Sequence, residues 1–253
     1  MAKRLFLLTL LFFIACSNPR DYSSIKVLEV IDGDTVKLSS GRLLRYIGLD
    51  TPEVRVKKNG KFEYAPQPFS LEATEYNRKL VEGKSIRVEF DVVKKDKYGR
   101  LLGYCFVGDV FVNAELIKQG YATVYTWPPN VKYVDTFVAL GKQARVNKKG
   151  LWYDFKTIGH SQAHLHINKV KAVRGEVVNT HKSKKCVYLN FGKNWRTDFT
   201  VVIFNDALTS FAKKGIDPVV FYKNKKVEVV GRIKEYNGPE IIVNSPSQIE
   251  VIE

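Results

Sequence analysis

The stretch VIDGDTVKL, residues 30–38, is the tightest constraint on how this chain folds, because it reads as a β-strand interrupted by two aspartates. With a period of two, Leu28, Val30, Val36 and Leu38 share one face, and in an unbroken strand Asp32 and Asp34 fall on it as well. A carboxylate facing a core is costly unless something pairs with it. Asp-Gly is also a hairpin-turn signal, so the segment alone equally reads as two strands joined by a turn. What the rest of the chain supplies decides between these readings.

The chain has 253 residues, room for one large or two small domains, and its hydrophobic content of 45% allows a packed core. Its net charge of +15 points to a polyanionic partner, with nucleic acid and anionic lipid the two main candidates. The excess is spread evenly: residues 21–160 carry 23 basic against 17 acidic side chains, and residues 161–253 carry 15 against 9. Both halves are therefore expected to face the same kind of partner.

Lys3 and Arg4 precede the apolar run Leu5 to Ile14. That run is shorter than the roughly 20 residues of a membrane span but fits a signal-peptide core. FIAC follows, and it resembles the bacterial lipoprotein processing box, with Cys16 as the lipidated residue and Phe13 where a leucine is usual. Ordinary cleavage after Ser17 is the alternative. Either route places the mature protein outside the cytoplasm, lipid-anchored to the cell envelope in the first case and secreted in the second. Residues 1–15 are then a signal peptide and 16–24 a tether. Cys105 and Cys186 lie in apolar runs of different halves and are expected as two buried thiols.

Strand-like runs at 26–38, 42–50, 84–93, 100–107 and 110–112 are separated by turn signals and interleaved with three helices. The helices are expected over about 68–82, from an Asn113 cap to Gly120, and over about 134–148. This pattern predicts a mainly β, α+β chain whose first domain is a small closed barrel of OB type, over 25–155. Residues 156–168 read as a linker with solvated histidines, and 169–253 as a second OB-like barrel.

RYIGLDTPE adds Arg45, Asp50, Thr51 and Glu53, and DKYGR adds Lys97, Tyr98 and Arg100. Carboxylates and a backbone carbonyl are hard oxygen ligands suited to Ca²⁺ or Mg²⁺, and no soft or imidazole set favouring zinc accompanies them. Arginine forks suit phosphate oxygens and stay charged. Each motif has a plainer reading: Asp96 to Gly99 as a hairpin, Arg45 as the structural partner of Asp50.

Taken together, IDGDTVKL, LDTPE, DKYGR, GYATVYTWPPN and the closing KKGLW resemble the staphylococcal nuclease family over about 25–155, in order and spacing. The resemblance implies an OB-fold, Ca²⁺-dependent phosphodiesterase acting on DNA and RNA and leaving 3′-phosphates. It implies Asp34, Asp50 and the Thr51 carbonyl as calcium ligands, with Asp32 at an acidic position beside them. It implies Glu53 as general base or positioner of the attacking water and Arg45 and Arg100 on the scissile phosphate. Lys97, Tyr98 and Tyr125 would line the nucleotide pocket. The loop VRVKKNGKFEYAPQP and the surroundings of Tyr125, with Trp127 and Pro128, depart from the family pattern.

The second half lacks DGDT and DTPE, so no second active site is expected. YLNFGKNWRTDF and VVGRIKEYNGPEIIV resemble OB-type modules that bind nucleic acid, with lysines interleaved with Tyr188, Phe191 and Trp195. The alternative is a docking domain whose aromatics are core. For the whole chain, the alternative to a nuclease is a non-catalytic nucleic-acid-binding surface lipoprotein. No protein partner is expected.

Overall fold

The computed structural model describes residues 22–58 and 60–252. Cys16 and the rest of the proposed signal and tether up to residue 21 lie outside the described residues. Among the described residues no helix is long and apolar enough to cross a membrane.

The chain opens with β1 (Ile25–Val30), β2 (Thr35–Leu38) and β3 (Leu43–Tyr46), an antiparallel meander, followed by β4 (Gly48–Asp50). A bulge between Val27 and Glu29 shifts the phase of β1. Val27 and Val30 are therefore buried, while Leu28, expected on the inner face, is 51% exposed. The loop that departs from the family pattern is a hairpin, β5 (Arg55–Lys58) and β6 (Lys61–Tyr64). Then come α1 (Ser70–Val81), β7 (Ser85–Glu89) and β8 (Leu101–Val107). β7 pairs with both β1 and β8, and β8 runs parallel to β3, which closes a five-stranded barrel. Val27, Val36, Leu38, Leu44 and Ile86 fill it, each no more than 1% exposed.

β9 (Val110–Phe111), α2 (Val112–Lys118), β10 (Thr123–Tyr125) and α3 (Val134–Val146) cover one end. Asn113 is not the cap of α2, because Phe111 precedes the helix. The Asn113 amide is instead buried, accepting from the Cys105 N–H and donating to the Ile47 carbonyl, both at 2.9 Å. Gly48 has φ of 87°, and a Cβ there would lie 2.3 Å from the Phe137 ring, so only glycine lets α3 pack against β4.

The stretch read as a linker is ordered. It forms β11 (Thr157–Gly159), parallel to the following strand, and a 3-10 turn over His160–His166 that buries Ala163. Three of its apolar residues, Ile158, Ala163 and Ile167, pack on the second core, while Leu165 stays exposed.

That core belongs to β12 (Val170–Glu176), β13 (Asn179–Lys182), β14 (Cys186–Asn190), β15 (Thr200–Phe204), α4 (Asn205–Ala212), α5 (Pro218–Phe221), β16 (Lys226–Glu235), β17 (Pro239–Ile242) and β18 (Ile249–Val251). β12 pairs with β16 and β13 with β14, so one bent segment joins the two ends of the sheet. β15 is antiparallel to β14 and parallel to β17, and β17 returns against β16. The order of pairing repeats that of the first barrel, including a helix before the fourth strand, without a shared sequence motif. Cys105 and Cys186 are buried and unpaired, and burial pushes the Cys105 thiol up to about 12.

β16 also meets the first barrel. Its Glu228, 5% exposed, takes Arg145 of α3 at 2.6 Å and Arg174 of β12 at 2.8 Å. Burial raises the Glu228 carboxyl, but its bonds from Arg174 and Arg145 outweigh that and hold it below 4.5. Because the folded value lies below the unfolded one, this stabilisation is complete above about pH 4.5 and is lost as pH falls through the depressed value. Glu228→Gln should destabilise the folded chain at pH 7 by about 2 kcal/mol, less than a fully buried pair because both arginines are partly exposed. Urea unfolding at pH 7 and below pH 4 measures both effects; equal stability of variant and wild type at pH 7 would refute the clamp.

Candidate active site

The DGD turn between β1 and β2 delivers the first acid. Ile31 and Asp32 donate their N–H groups to the Thr35 carbonyl at 2.9 and 3.3 Å, and the Asp34 N–H bonds Asp32 Oδ1 at 3.1 Å. Asn77 of α1 donates to the Asp32 carbonyl at 3.0 Å, fixing the turn to the helix. The turn reading holds: β1 and β2 are joined by a hairpin turn rather than forming one unbroken strand, and the turn directs Asp34 inward, to 4% exposure. Gly33 makes room, since a Cβ there would lie 2.7 Å from Thr51 Oγ1. Thr51 then donates its backbone N–H and its hydroxyl to Asp34 Oδ2, both at 3.1 Å. Thr35 donates to Asp34 Oδ1 at 3.0 Å.

Arg45 of β3 is the register partner of Thr35, which sets it beside Asp34. Its Nη1 ion-pairs with Asp34, and its Nη2 reaches Asp50 Oδ1 at the end of β4, at 3.0 Å. Burial works against the Arg45 charge, but Asp34 and Asp50 outweigh it and hold the guanidinium above its ordinary range. Burial, with Asp34 adding to it, raises the Asp50 carboxyl against the pull of Arg45 and Arg232. Glu53 is solvent-accessible, yet crowding around it, then Asp34 and Asp50, push it up to about 6. Asp32 is pushed up to about 8, chiefly by burial and then by Asp34. Four carboxylates, Asp32, Asp34, Asp50 and Glu53, share the site with two guanidinium groups, Arg45 and Arg232.

A hard cation fits this donor set in kind: the surplus carboxylates are oxygen ligands, and a divalent ion would relieve their mutual repulsion. Asp34, Asp50 and Thr51 are the residues that would hold it. The arrangement seen here is an arginine clasp, with Arg45 taking both carboxylates. Among the described residues no cluster of three or more acidic, imidazole or thiol groups stands as a ready-made metal site.

The structure brings together Asp34, Arg45, Asp50, Thr51 and Glu53. It does not bring Arg100 into the cluster. Arg100 immediately precedes β8, whose Leu101 is the register partner of Leu44, so it sits at the edge of the same sheet as Arg45. Its side chain bonds Asp96 at 2.7 Å, and its backbone N–H bonds Asp96 as well. Lys97 and Tyr98 are exposed on that same turn, Tyr98 by 74%. Tyr125 lines a cavity of about 540 Å³ with Arg45 and Asp50 but lies beside the Asn244 amide of the second barrel. Burial, then Asp50, raises the Tyr125 hydroxyl. Lys61 is exposed on the β5–β6 hairpin.

Sequence reading missed three residues at this site. Gln67 accepts the Glu53 N–H at 3.0 Å on its side chain and donates its own N–H to the Glu53 carbonyl at 2.9 Å. Arg232 and Lys234 of β16 line the cavity with Arg45 and Asp50. Alternation along β16 marks both as outward-facing, but not what lies outside.

The model of the staphylococcal nuclease homologue family matches residues 43–154, which span the closing strands of the barrel together with Arg45, Asp50 and Glu53. The chain is 38% identical over 130 residues to a thermonuclease of Staphylococcus hyicus, covering 50% of this chain and 74% of the relative. It is 37% identical over 132 residues to a thermonuclease of Staphylococcus intermedius, covering 51% and 76%. It is 36% identical over 140 residues to the endonuclease YncB of Bacillus subtilis, covering 53% and 64%. The chain belongs to the staphylococcal nuclease family.

Proposed function

We propose that this chain is a Ca²⁺-dependent nuclease that hydrolyses phosphodiester bonds of DNA and RNA to 3′-phosphate products outside the cytoplasm. The convergence of Asp34 and Asp50 on Arg45, with the Glu53 carboxyl beside them, carries the reading. The relatives named thermonuclease and endonuclease support it, as does the +15 charge.

Bound calcium would supply polarisation of the phosphodiester and a lowered pKa for water. Glu53, with a carboxyl near 6, is an anion at neutral pH and takes the proton of the attacking water as the 5′-oxygen leaves. Arg45 offers the phosphate a guanidinium already oriented by two carboxylates. Arg100 joins by rotating from Asp96, an exchange open to a side chain that is 30% exposed.

The second barrel offers a place for the rest of the strand. A cavity of about 550 Å³ is lined by His181, Tyr188, Trp195, Tyr236 and Asn237. Trp195 and Tyr236 are 51% and 81% exposed, Arg196 stands over the Trp195 ring, and Lys182, Lys184 and Lys193 are exposed on the same barrel. Exposed rings beside cations suit unstacked bases. The N-terminal Lys3-Arg4 and FIAC pattern supports a lipid anchor at Cys16.

The purified chain should cleave DNA with calcium and stop in chelator, and Glu53→Ala or Arg45→Ala should lower kcat by about 10²–10³-fold. Full activity in both variants would overturn the mechanism; DNA retention without turnover would make the chain a binder. Trp195→Ala with Tyr236→Ala should weaken calcium-free binding of single-stranded DNA by about 1–3 kcal/mol per lost stack. Unchanged affinity would return those rings to a structural role. Cys16→Ser should release the protein from the membrane fraction, and an unchanged location would exclude the anchor.

A further inference from the structure

The second barrel reaches into the active site through one side chain. Arg232 of β16 is 15% exposed and bridges the barrels. Its Nη1 donates to Gln67 Oε1 at 2.8 Å in the first barrel and to the Asn168 carbonyl at 2.9 Å in the second. Its Nη2 lies 3.7 Å from Asp50 Oδ2, on the opposite carboxylate oxygen from the one held by Arg45.

Gln67 is what makes this contact matter. It grips the Glu53 backbone on both sides, through its N–H to the Glu53 carbonyl and through its side-chain oxygen from the Glu53 N–H. That same oxygen takes the Arg232 bond. Glu53 itself has no regular element around it, since β4 ends at Asp50 and β5 begins at Arg55. Its backbone is therefore placed by Gln67, and Gln67 is held from the other barrel. Arg232 in turn is anchored: Asn168 donates its N–H to the Ile233 carbonyl at 2.7 Å, and the Ile233 N–H bonds the Lys169 carbonyl at 3.0 Å.

We propose that Arg232 is a positioning residue for catalysis, so that the second barrel completes the active site by fixing Gln67, and through it Glu53, while balancing Asp50 from the side that Arg45 leaves open. The proposal rests on the nuclease reading above. A displaced general base loses rate steeply, by up to about 10²-fold for a shift of roughly 1 Å. A side chain that only holds the barrels together would instead lower stability and leave turnover per folded molecule unchanged.

The test is steady-state cleavage of a DNA oligonucleotide by the full chain with saturating calcium, for wild type, Arg232→Ala, Gln67→Ala and the double variant. Wild type must cleave first; if it does not, the nuclease reading fails and not this one. With wild type active, either single variant should lower kcat about 10-fold or more with KM within about 3-fold, and the double variant should be no slower than the worse single one. Arg232→Lys, which keeps the charge but cannot hold Gln67 and Asn168 together, should show the same kcat loss and serves if the alanine variant does not fold. A wild-type kcat in Arg232→Ala or Arg232→Lys, losses that multiply in the double variant, or a change confined to KM would each overturn the proposal.

Discussion

Everything at the barrel mouth depends on Arg45 standing between two acids. Asp34 comes from the turn before β2 and Asp50 from the end of β4, and neither is tolerable there alone, because an unpaired buried charge is strongly destabilising. The guanidinium resolves the problem with one planar group and two ends, one for each carboxylate. It does so incompletely. Asp32, Asp50 and Glu53 are all held above their ordinary range, first by burial and then by the neighbouring carboxylates. A site built this way has the oxygen-donor chemistry for a further cation, and its arginine is already oriented by two carboxylates.

The rest of the first barrel can be understood as support for that arrangement. The parallel pairing of β3 and β8 closes the sheet and fixes the height of Arg45. The Asn77 amide of α1 takes the Tyr46 hydroxyl as donor and the Asp32 carbonyl as acceptor, linking helix, strand and turn. Gly33 and Gly48 are small where Thr51 and Phe137 come close. The second barrel repeats the topology without the acids. Its β16 meets the first barrel twice, through Glu228 near α3 and through Arg232 at the cluster.

Much of this was legible in the residues. Alternating short strands and turn signals marked a closed barrel, and acids on an inward-facing stretch marked a paired or metal-bound group. The phase of β1 was not legible, because a bulge leaves no trace in periodicity and moved Leu28 outward. The order of the stretch after residue 155 was not legible either, because scattered apolar residues among histidines and a lysine look like a linker until a second core exists to take three of them. Arg100 matched by motif, but Asp96, four residues earlier, competes for its guanidinium. Gln67 carried no signal, and alternation along β16 marked Arg232 only as outward-facing. Their role comes from contact between barrels, which local pattern does not encode.

Arg45 neutralises part of the acid at this mouth, and on the proposed nuclease reading a divalent cation neutralises the rest. The most direct measurement is the melting temperature of Arg45→Met against calcium concentration, beside wild type. A variant that melts lower than wild type without calcium and regains more stability than wild type as calcium is added is the expected result. A variant and wild type that both ignore calcium would contradict it.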